Sequence, residues 1–441
     1  MESANRRETG EALRLYLPRL PVLSPMINLR AQLHGTAAQA AVSICEAAMT
    51  SHVMNTYARL PVAFSHGSGA WLWDEQGRRY LDALAGIAVA GVGHGHPRLA
   101  RALADQAAKL LHTSNIYVIR HQETLADKLC TLAGMDEVFF SSSGAEANEA
   151  ALKLARFYGH QRGVASANII VMEHAWHGRT IATLSATGSR KAQAGFEPLV
   201  PGFVRVPYND RSALERIAHD TPNIVAVLME VLQGEGGIHI ADGGYVEAVA
   251  RLCSDRQWLL MLDEVQSGVG RTGKWFGFQH FGVKPDVVTL AKGLASGVPI
   301  GATLTSGRAA RLFKPGNHGS TFGGGPLACR AALETIAIME DEDLLANALR
   351  MGESIRGAIR RELEGAAGVV AVRGMGLMIG VELARPCGEL VRKGLDAGLL
   401  INVTRDNVVR LLPPLVIGEP EAREIVARLI PLIRQFLAAA A

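Results

Sequence analysis

Between residues 137 and 291 the chain repeats one pattern: a short run of mostly apolar residues, a stretch with helical spacing, then another apolar run. The runs are Glu137–Ser141, Ile169–Met172, Val225–Glu230, Trp258–Asp263 and Val287–Ala291. Helix-like segments Leu99–Leu111 and Gln122–Leu132 precede the first, and Ala145–Tyr158 follows it at once. Runs this short suit strands better than helices, and their lack of apolar-polar alternation leaves no face for water. Alternating with helices, they predict an α/β fold built on a mainly parallel sheet covered on both faces. Such sheets bind ligands at the carboxyl ends of their strands, so the residues just after each run are the first candidates for function.

The flanks read differently. Trp71–Trp73 and Tyr80–Asp82, separated by Asp74-Glu75-Gln76-Gly77, predict a β-hairpin with a longer loop. Near the other end, strands around Val369–Val372, Leu377–Leu383, Leu399–Val403 and Val408–Leu411, then an amphipathic helix after Glu419-Pro420, predict a separate α/β unit. Residues 1–53 read as a flexible extension broken by Pro18, Pro21 and Pro25, with Met49 or Met54 as alternative starts. Their arginines suggest a targeting segment, but Glu2, Glu8 and Glu11 depart from the acid-poor composition of a transit peptide, and no apolar core follows.

Composition excludes several classes. Hydrophobic residues make up 48% of the 441 and charged residues 20%, the balance of a folded globular chain. A formal charge of +3 is too small for phosphate neutralisation along a nucleic acid. The longest apolar stretches fall short of the ~18 residues of a membrane span. Five cysteines, odd in number and without a C-x-x-C pair, fit a reducing compartment better than a disulfide framework. A soluble protein with no nucleic-acid or membrane partner is expected.

Three strand ends carry polar residues that a structural sheet does not need. Ser141-Ser142-Ser143-Gly144-Ala145-Glu146 leads from a strand straight into a helix, where free N–H groups and the helix dipole can hold a phosphate. On this stretch alone an ordinary serine N-cap before an amphipathic helix is the commoner reading. Asp263 follows five apolar residues, so a buried carboxylate and a cationic partner are expected, whether a protonated pyridine nitrogen or a protein base, with an N-cap for the next turn as the other reading. Lys292 ends another run among small residues, where desolvation favours the neutral amine that attacks a carbonyl, although Ala291-Lys292-Gly293 alone reads as an exposed lysine in a glycine-rich loop. It follows Asp263 by 29 residues, about one strand-to-strand connection, which puts both groups at the same sheet edge.

Taken together, Ser143-Gly144-Ala145-Glu146-Ala147-Asn148, His174-Ala175-Trp176-His177-Gly178-Arg179, Gln233-Gly234-Glu235-Gly236-Gly237, Asp263-Glu264-Val265-Gln266, Ala291-Lys292-Gly293 and His318-Gly319-Ser320-Thr321-Phe322 resemble the class III pyridoxal-phosphate-dependent aminotransferases. The resemblance runs from about Pro61 to the C-terminus. Within the class, Gly270–Lys274, Asn317–Thr321 and Arg410–Leu415 resemble the acetylornithine-using members. It implies pyridoxal-phosphate transferase fold type I: a large domain with a mainly parallel seven-stranded sheet, plus a small α/β domain from both chain ends. The implied division is 1–53 extension, 54–101 first part of the small domain, 102–325 large domain and 326–441 second part.

The resemblance also implies roles. Lys292 would hold pyridoxal 5'-phosphate and shuttle a proton, and Asp263 would keep its pyridine nitrogen protonated. Gln266 would contact the phenolic oxygen, Trp176 would stack on the ring, and Ser143, Gly144 and Ala145 would cradle the phosphate. Thr321 would reach that phosphate from the other subunit of a homodimer with shared active sites. Arg179 would take the substrate α-carboxylate, with Ser320 contributing to the substrate site. Glu235 would mask Arg410 while the ω-amine of acetylornithine enters, then release it to bind 2-oxoglutarate. The implied setting is cytoplasmic arginine biosynthesis. Other ω-amines stay open as substrates, namely succinylornithine, N-succinyl-diaminopimelate, ornithine and 4-aminobutyrate, as does a non-catalytic relative.

Three positions depart from the usual pattern: Trp176 for Phe or Tyr, Ala145 for threonine and Gly325 for asparagine. Gly268–Gly273 fits G-x-G-x-x-G, but Asp263–Ser267 separates it from the strand and Trp275-Phe276 follows, so no dinucleotide site is expected. His94, His96, His174 and His177 lack a zinc-binding spacing, and no metal is expected.

Overall fold

The apolar runs become a single seven-stranded sheet, in the order Glu137–Ser141, Gly301–Thr305, Val287–Leu290, Leu259–Asp263, Ile224–Met229, Asn168–Met172, Phe203–Val206. These strands belong to a computed structural model that describes residues 52–439. The expected extension 1–53 thus lies outside the described residues save for His52 and Val53, as does Met49. Residues 52–62 belong to a first unit, carry no helix or strand, and are almost all exposed. Everything below concerns the second unit, from Ala63 onward.

Neighbouring strands are parallel except for Gly301–Thr305, which runs antiparallel to both of its neighbours. Alternate side chains enter two different cores. Ile170, Met172, Val227, Leu260 and Leu262 join one, and Ile169, Val171, Leu228 and Met261 join the other. Both faces are therefore dry, which is why these strands read as continuous apolar runs. Two strands were not anticipated. Gly301–Thr305 holds only two apolar side chains, with buried Thr303 donating to the Ala147 carbonyl, and Phe203–Val206 is a four-residue edge strand interrupted by Arg205.

The expected hairpin forms, with Trp71 opposite Leu81, and Phe64–Ser68 and Leu399–Leu400 extend it to a four-stranded sheet. A third sheet takes Val369–Met375, Met378–Leu383, Val408–Leu411 and Asn402–Thr404. The single strand expected over 399–403 is thus divided at buried Ile401 and serves two sheets. The closing helix, Glu419–Ala438, packs on helix Leu344–Glu362.

One segment holds a rare backbone. Ala85, Gly86, Ile87 and Ala88 all have positive φ, at 50°, 63°, 68° and 64°. This conformation costs L-residues about 1–2 kcal/mol each. Asp82 Oδ1 accepts from the N–H groups of Leu84 and Ala85, both at 2.8 Å, and anchors the turn that delivers Val89 to the cavity described next.

Candidate active site

The strand ends and the loops after them enclose a cavity of about 380 Å³. One wall is the start of helix Gly144–Gln161. Ser143 is its N-cap, accepting from the Glu146 N–H at 3.2 Å. Among the described residues, the N–H groups of Gly144 and Ala145 have no acceptor, so the helix offers two free donors to the cavity. A Cβ on Gly144 would lie 2.7 Å from Val265 Cγ1, so only glycine lets the turn close against the opposite loop.

Asp263 ends its strand and is buried. Its Oδ2 accepts from Asn148 Nδ2 at 2.7 Å and lies 2.8 Å from His177 Nδ1, while Oδ1 accepts from the Val265 N–H at 3.0 Å. Asn148 is fixed in turn, accepting from Thr289 Oγ1 at 2.7 Å and donating to the His177 carbonyl at 2.8 Å. The protein base allowed for by the sequence is His177. Its Nε2 is buried without a partner among the described residues.

Lys292 follows strand Val287–Leu290 by two residues and has φ of +42°, an unusual value for a residue with a Cβ. Burial holds its ammonium below the usual lysine range, against the attraction of nearby Glu235. No hydrogen-bond partner of its Nζ is found among the described residues.

Opposite lies an acid-base pair. Arg410, fully buried on strand Val408–Leu411, places Nη1 2.6 Å from Glu235 Oε1 and donates to Gln266 Oε1 at 3.1 Å. Nε donates to Asn402 Oδ1 at 3.0 Å, and Nη2 is buried without a partner. Burial works against the Glu235 carboxylate, but the charge and hydrogen bond of Arg410 hold its pKa below the ordinary glutamate value.

Ser143, Gly144, Ala145, Trp176, Glu235, Asp263, Gln266 and Lys292 all line the cavity, and Arg410 stands behind Glu235 and Gln266. Arg179, Ser320 and Thr321 do not line it. Arg179 is exposed and lies 4.7 Å from the centre of the Trp176 ring. Ser320 is half-buried, its Oγ accepting from the Gly323 N–H at 3.0 Å, and Thr321 is exposed. Sequence reasoning gave no role to three residues here: Asn148, His177 and Glu230. The first two stood inside motifs already singled out, and Glu230 was legible only as a strand end.

Residues 53–433 match the family described as Aminotransferase class-III. Acetylornithine aminotransferase 1 of Bordetella pertussis is 59% identical over 390 residues, which cover 88% of this chain and 99% of that protein. Among solved structures, the ornithine aminotransferase of Toxoplasma gondii ME49 is 36% identical with a TM-score of 0.85, covering 90% of this chain and 94% of that one. The acetylornithine aminotransferase of Elizabethkingia anophelis is 34% identical with a TM-score of 0.79, covering 90% and 99%.

Proposed function

The chain belongs to the class-III aminotransferase family, and on that premise we propose that it moves the ω-amino group of N2-acetyl-L-ornithine to 2-oxoglutarate. The products are N-acetyl-L-glutamate 5-semialdehyde and L-glutamate, and the setting is cytoplasmic arginine biosynthesis. The observation that carries this reading is the Glu235–Arg410 pair. A reaction with two unlike substrates in one pocket needs a carboxylate site that can be covered and uncovered. Here a fully buried guanidinium keeps one nitrogen unpaired while a half-buried acid covers another.

The cavity fits pyridoxal phosphate, the cofactor of the class. Gly144, where a Cβ has no room, and Ala145 offer unpaired N–H donors, Asp263 offers an oriented carboxylate, Trp176 an aromatic plate and Lys292 an unpaired amine. When bound, the cofactor supplies an aldehyde that takes up the amine and a ring that stores the electron pair left on the substrate carbon. Asn148 and His177 hold Asp263 Oδ2 and the Val265 N–H holds Oδ1, fixing a carboxylate that would keep the cofactor's ring nitrogen protonated. Lys292 Nζ, desolvated and thereby favoured as the neutral amine, would take the proton from the amine-bearing carbon of the donor and deliver it to the cofactor carbon on the other side of the shared nitrogen. Glu235 covers Arg410 while the ω-amine end of the donor, which carries no carboxylate, is bound. It swings off when the α-carboxylate of 2-oxoglutarate arrives, and the planar guanidinium binds that group through two nitrogens.

A homodimer with shared sites completes this reading. Ile116, Tyr117, Val118 and Phe322 are exposed, and Asn115 ties their two segments together by donating to the Ser320 and Gly323 carbonyls. Buried against a second copy, that apolar face would carry Thr321 to the phosphate of the partner. The small domain is read as 54–101 with 326–441, around the large domain 102–325. The pairing of Leu399–Leu400 with Arg79–Asp82 across the chain ends supports that division.

The test is a donor panel. Acetylornithine, succinylornithine, N-succinyl-diaminopimelate, ornithine and 4-aminobutyrate are each mixed with cofactor-loaded enzyme, and the loss of cofactor colour is followed. Acetylornithine should react with the highest kcat/KM, and turnover should require 2-oxoglutarate. A tenfold preference for any other amine would overturn the substrate assignment.

A further inference from the structure

Glu230 stands one residue past strand Ile224–Met229, beside Asp263, because Met229 pairs with Leu262 on the parallel neighbour. It is buried and lines the cavity, yet no step above uses it. Its two oxygens serve different walls. Oε1 accepts from the N–H of Trp176 and Oε2 from the N–H of Gly234, each at 2.9 Å. Trp176 is the aromatic plate, and Gly234 precedes Glu235 in a turn so tight that a Cβ there would collide with the Gln266 side chain. The main chain at Glu230 is pinned too, its carbonyl accepting from Tyr208 Oη at 2.9 Å.

We propose that Glu230 is a positioning residue that joins the aromatic plate at Trp176 and the turn carrying Glu235 into one rigid wall, and so sets how firmly Glu235 covers Arg410. The idea rests on the function proposed above. A carboxylate accepts at both oxygens, whereas an amide or a protonated carboxyl turns a donor toward one of the two N–H groups. Facing Glu230 are Asp263 from the neighbouring strand end, His177 from the turn after Met172, and Lys292 and Tyr208. Burial first, then the charge of Asp263, push the Glu230 carboxyl up to about 7. The double grip therefore loosens as pH falls through neutrality.

The test uses the full chain with cofactor, comparing wild type with Glu230→Gln. In the variant, KM for the acetylornithine half-reaction should rise about tenfold, the equivalent of one lost hydrogen bond, while KM for 2-oxoglutarate changes less than twofold. Without any substrate, the near-ultraviolet circular dichroism of Trp176, defined by difference against Trp176→Phe, should weaken. In wild type that band should weaken as pH is lowered through about 7, a measurement that needs no Glu230 variant to fold. Equal loss in both half-reactions, or a band indifferent to both the variant and pH, overturns the proposal. A band that responds in a protein inert toward acetylornithine supports the positioning role and overturns the substrate assignment alone.

Discussion

Replacing Arg410 with alanine separates the two half-reactions. In the resting protein the guanidinium is fully buried, with Nη1 shared between Glu235 and Gln266, Nε on Asn402 and Nη2 unpaired. Its loss leaves the half-buried Glu235 without its nearest cation, and the cost in stability stays below the ~3–5 kcal/mol of breaking a fully buried pair from one side. Glu235→Ala added to Arg410→Ala should recover most of that, because no unpaired charge remains. For catalysis, two charge-assisted hydrogen bonds to the incoming carboxylate disappear, at about 1.5–3 kcal/mol each and partly offset by water. A net loss of roughly 3–4 kcal/mol corresponds to a 10²–10³-fold rise in KM for 2-oxoglutarate. The donor half-reaction, which needs Arg410 covered, should change by less than about tenfold. Stopped-flow absorbance of the bound cofactor reads each half-reaction alone, with Arg410→Lys as the control that keeps charge and loses the planar fork. Equal losses in both half-reactions would refute the gate, and so would full rescue by lysine.

Lys292→Ala should fold, bind cofactor less tightly and lose turnover altogether; full activity would remove Lys292 from the chemistry. Gly144→Ala forces a methyl to 2.7 Å from Val265. It should weaken cofactor binding about tenfold or more, and adding Val265→Ala should restore much of it, as cofactor titration will show. Glu264 is held at about 7 by burial, against hydrogen bonds from Ser267, Gly277 and Phe278. The folded protein therefore binds more protons than the unfolded chain between the ordinary glutamate value of 4.5 and about 7. Stability falls as pH rises through that window, by about 3 kcal/mol from this group. Glu264→Gln should flatten the pH dependence of thermal unfolding, and an unchanged slope would contradict it.

What the sequence made legible follows from burial. Strands dry on both faces, such as Ile224–Met229 and Leu259–Asp263, stood out because nothing polar interrupts them, and a carboxylate or amine just past such a run is conspicuous. Gly301–Thr305 escaped because its threonines are satisfied by distant partners, the Ala147 carbonyl and Glu137, which no local pattern announces. Asn148 and His177 converge on Asp263 from a helix and a turn far apart in the chain, so their partnership exists only in three dimensions. The left-handed turn at Ala85–Ala88 contradicts the preferences of three of its four residues and is imposed by Asp82 and its surroundings.

The placement of Gly301–Thr305 also orders events during synthesis. Glu137–Ser141, which leads into the Ser143–Ala145 turn, touches the sheet only through that late strand. On a ribosome adding ~5–20 residues per second, the strand waits for roughly 160 residues, or about 10–30 s, before its partner emerges. Lys292 and Asp263 are already made by then, while Arg410 is still to come. Until Gly301–Thr305 docks, the nascent chain exposes an unpaired edge at Val287–Leu290. A truncation before residue 301 would therefore leave both an unfinished site and an adhesive strand.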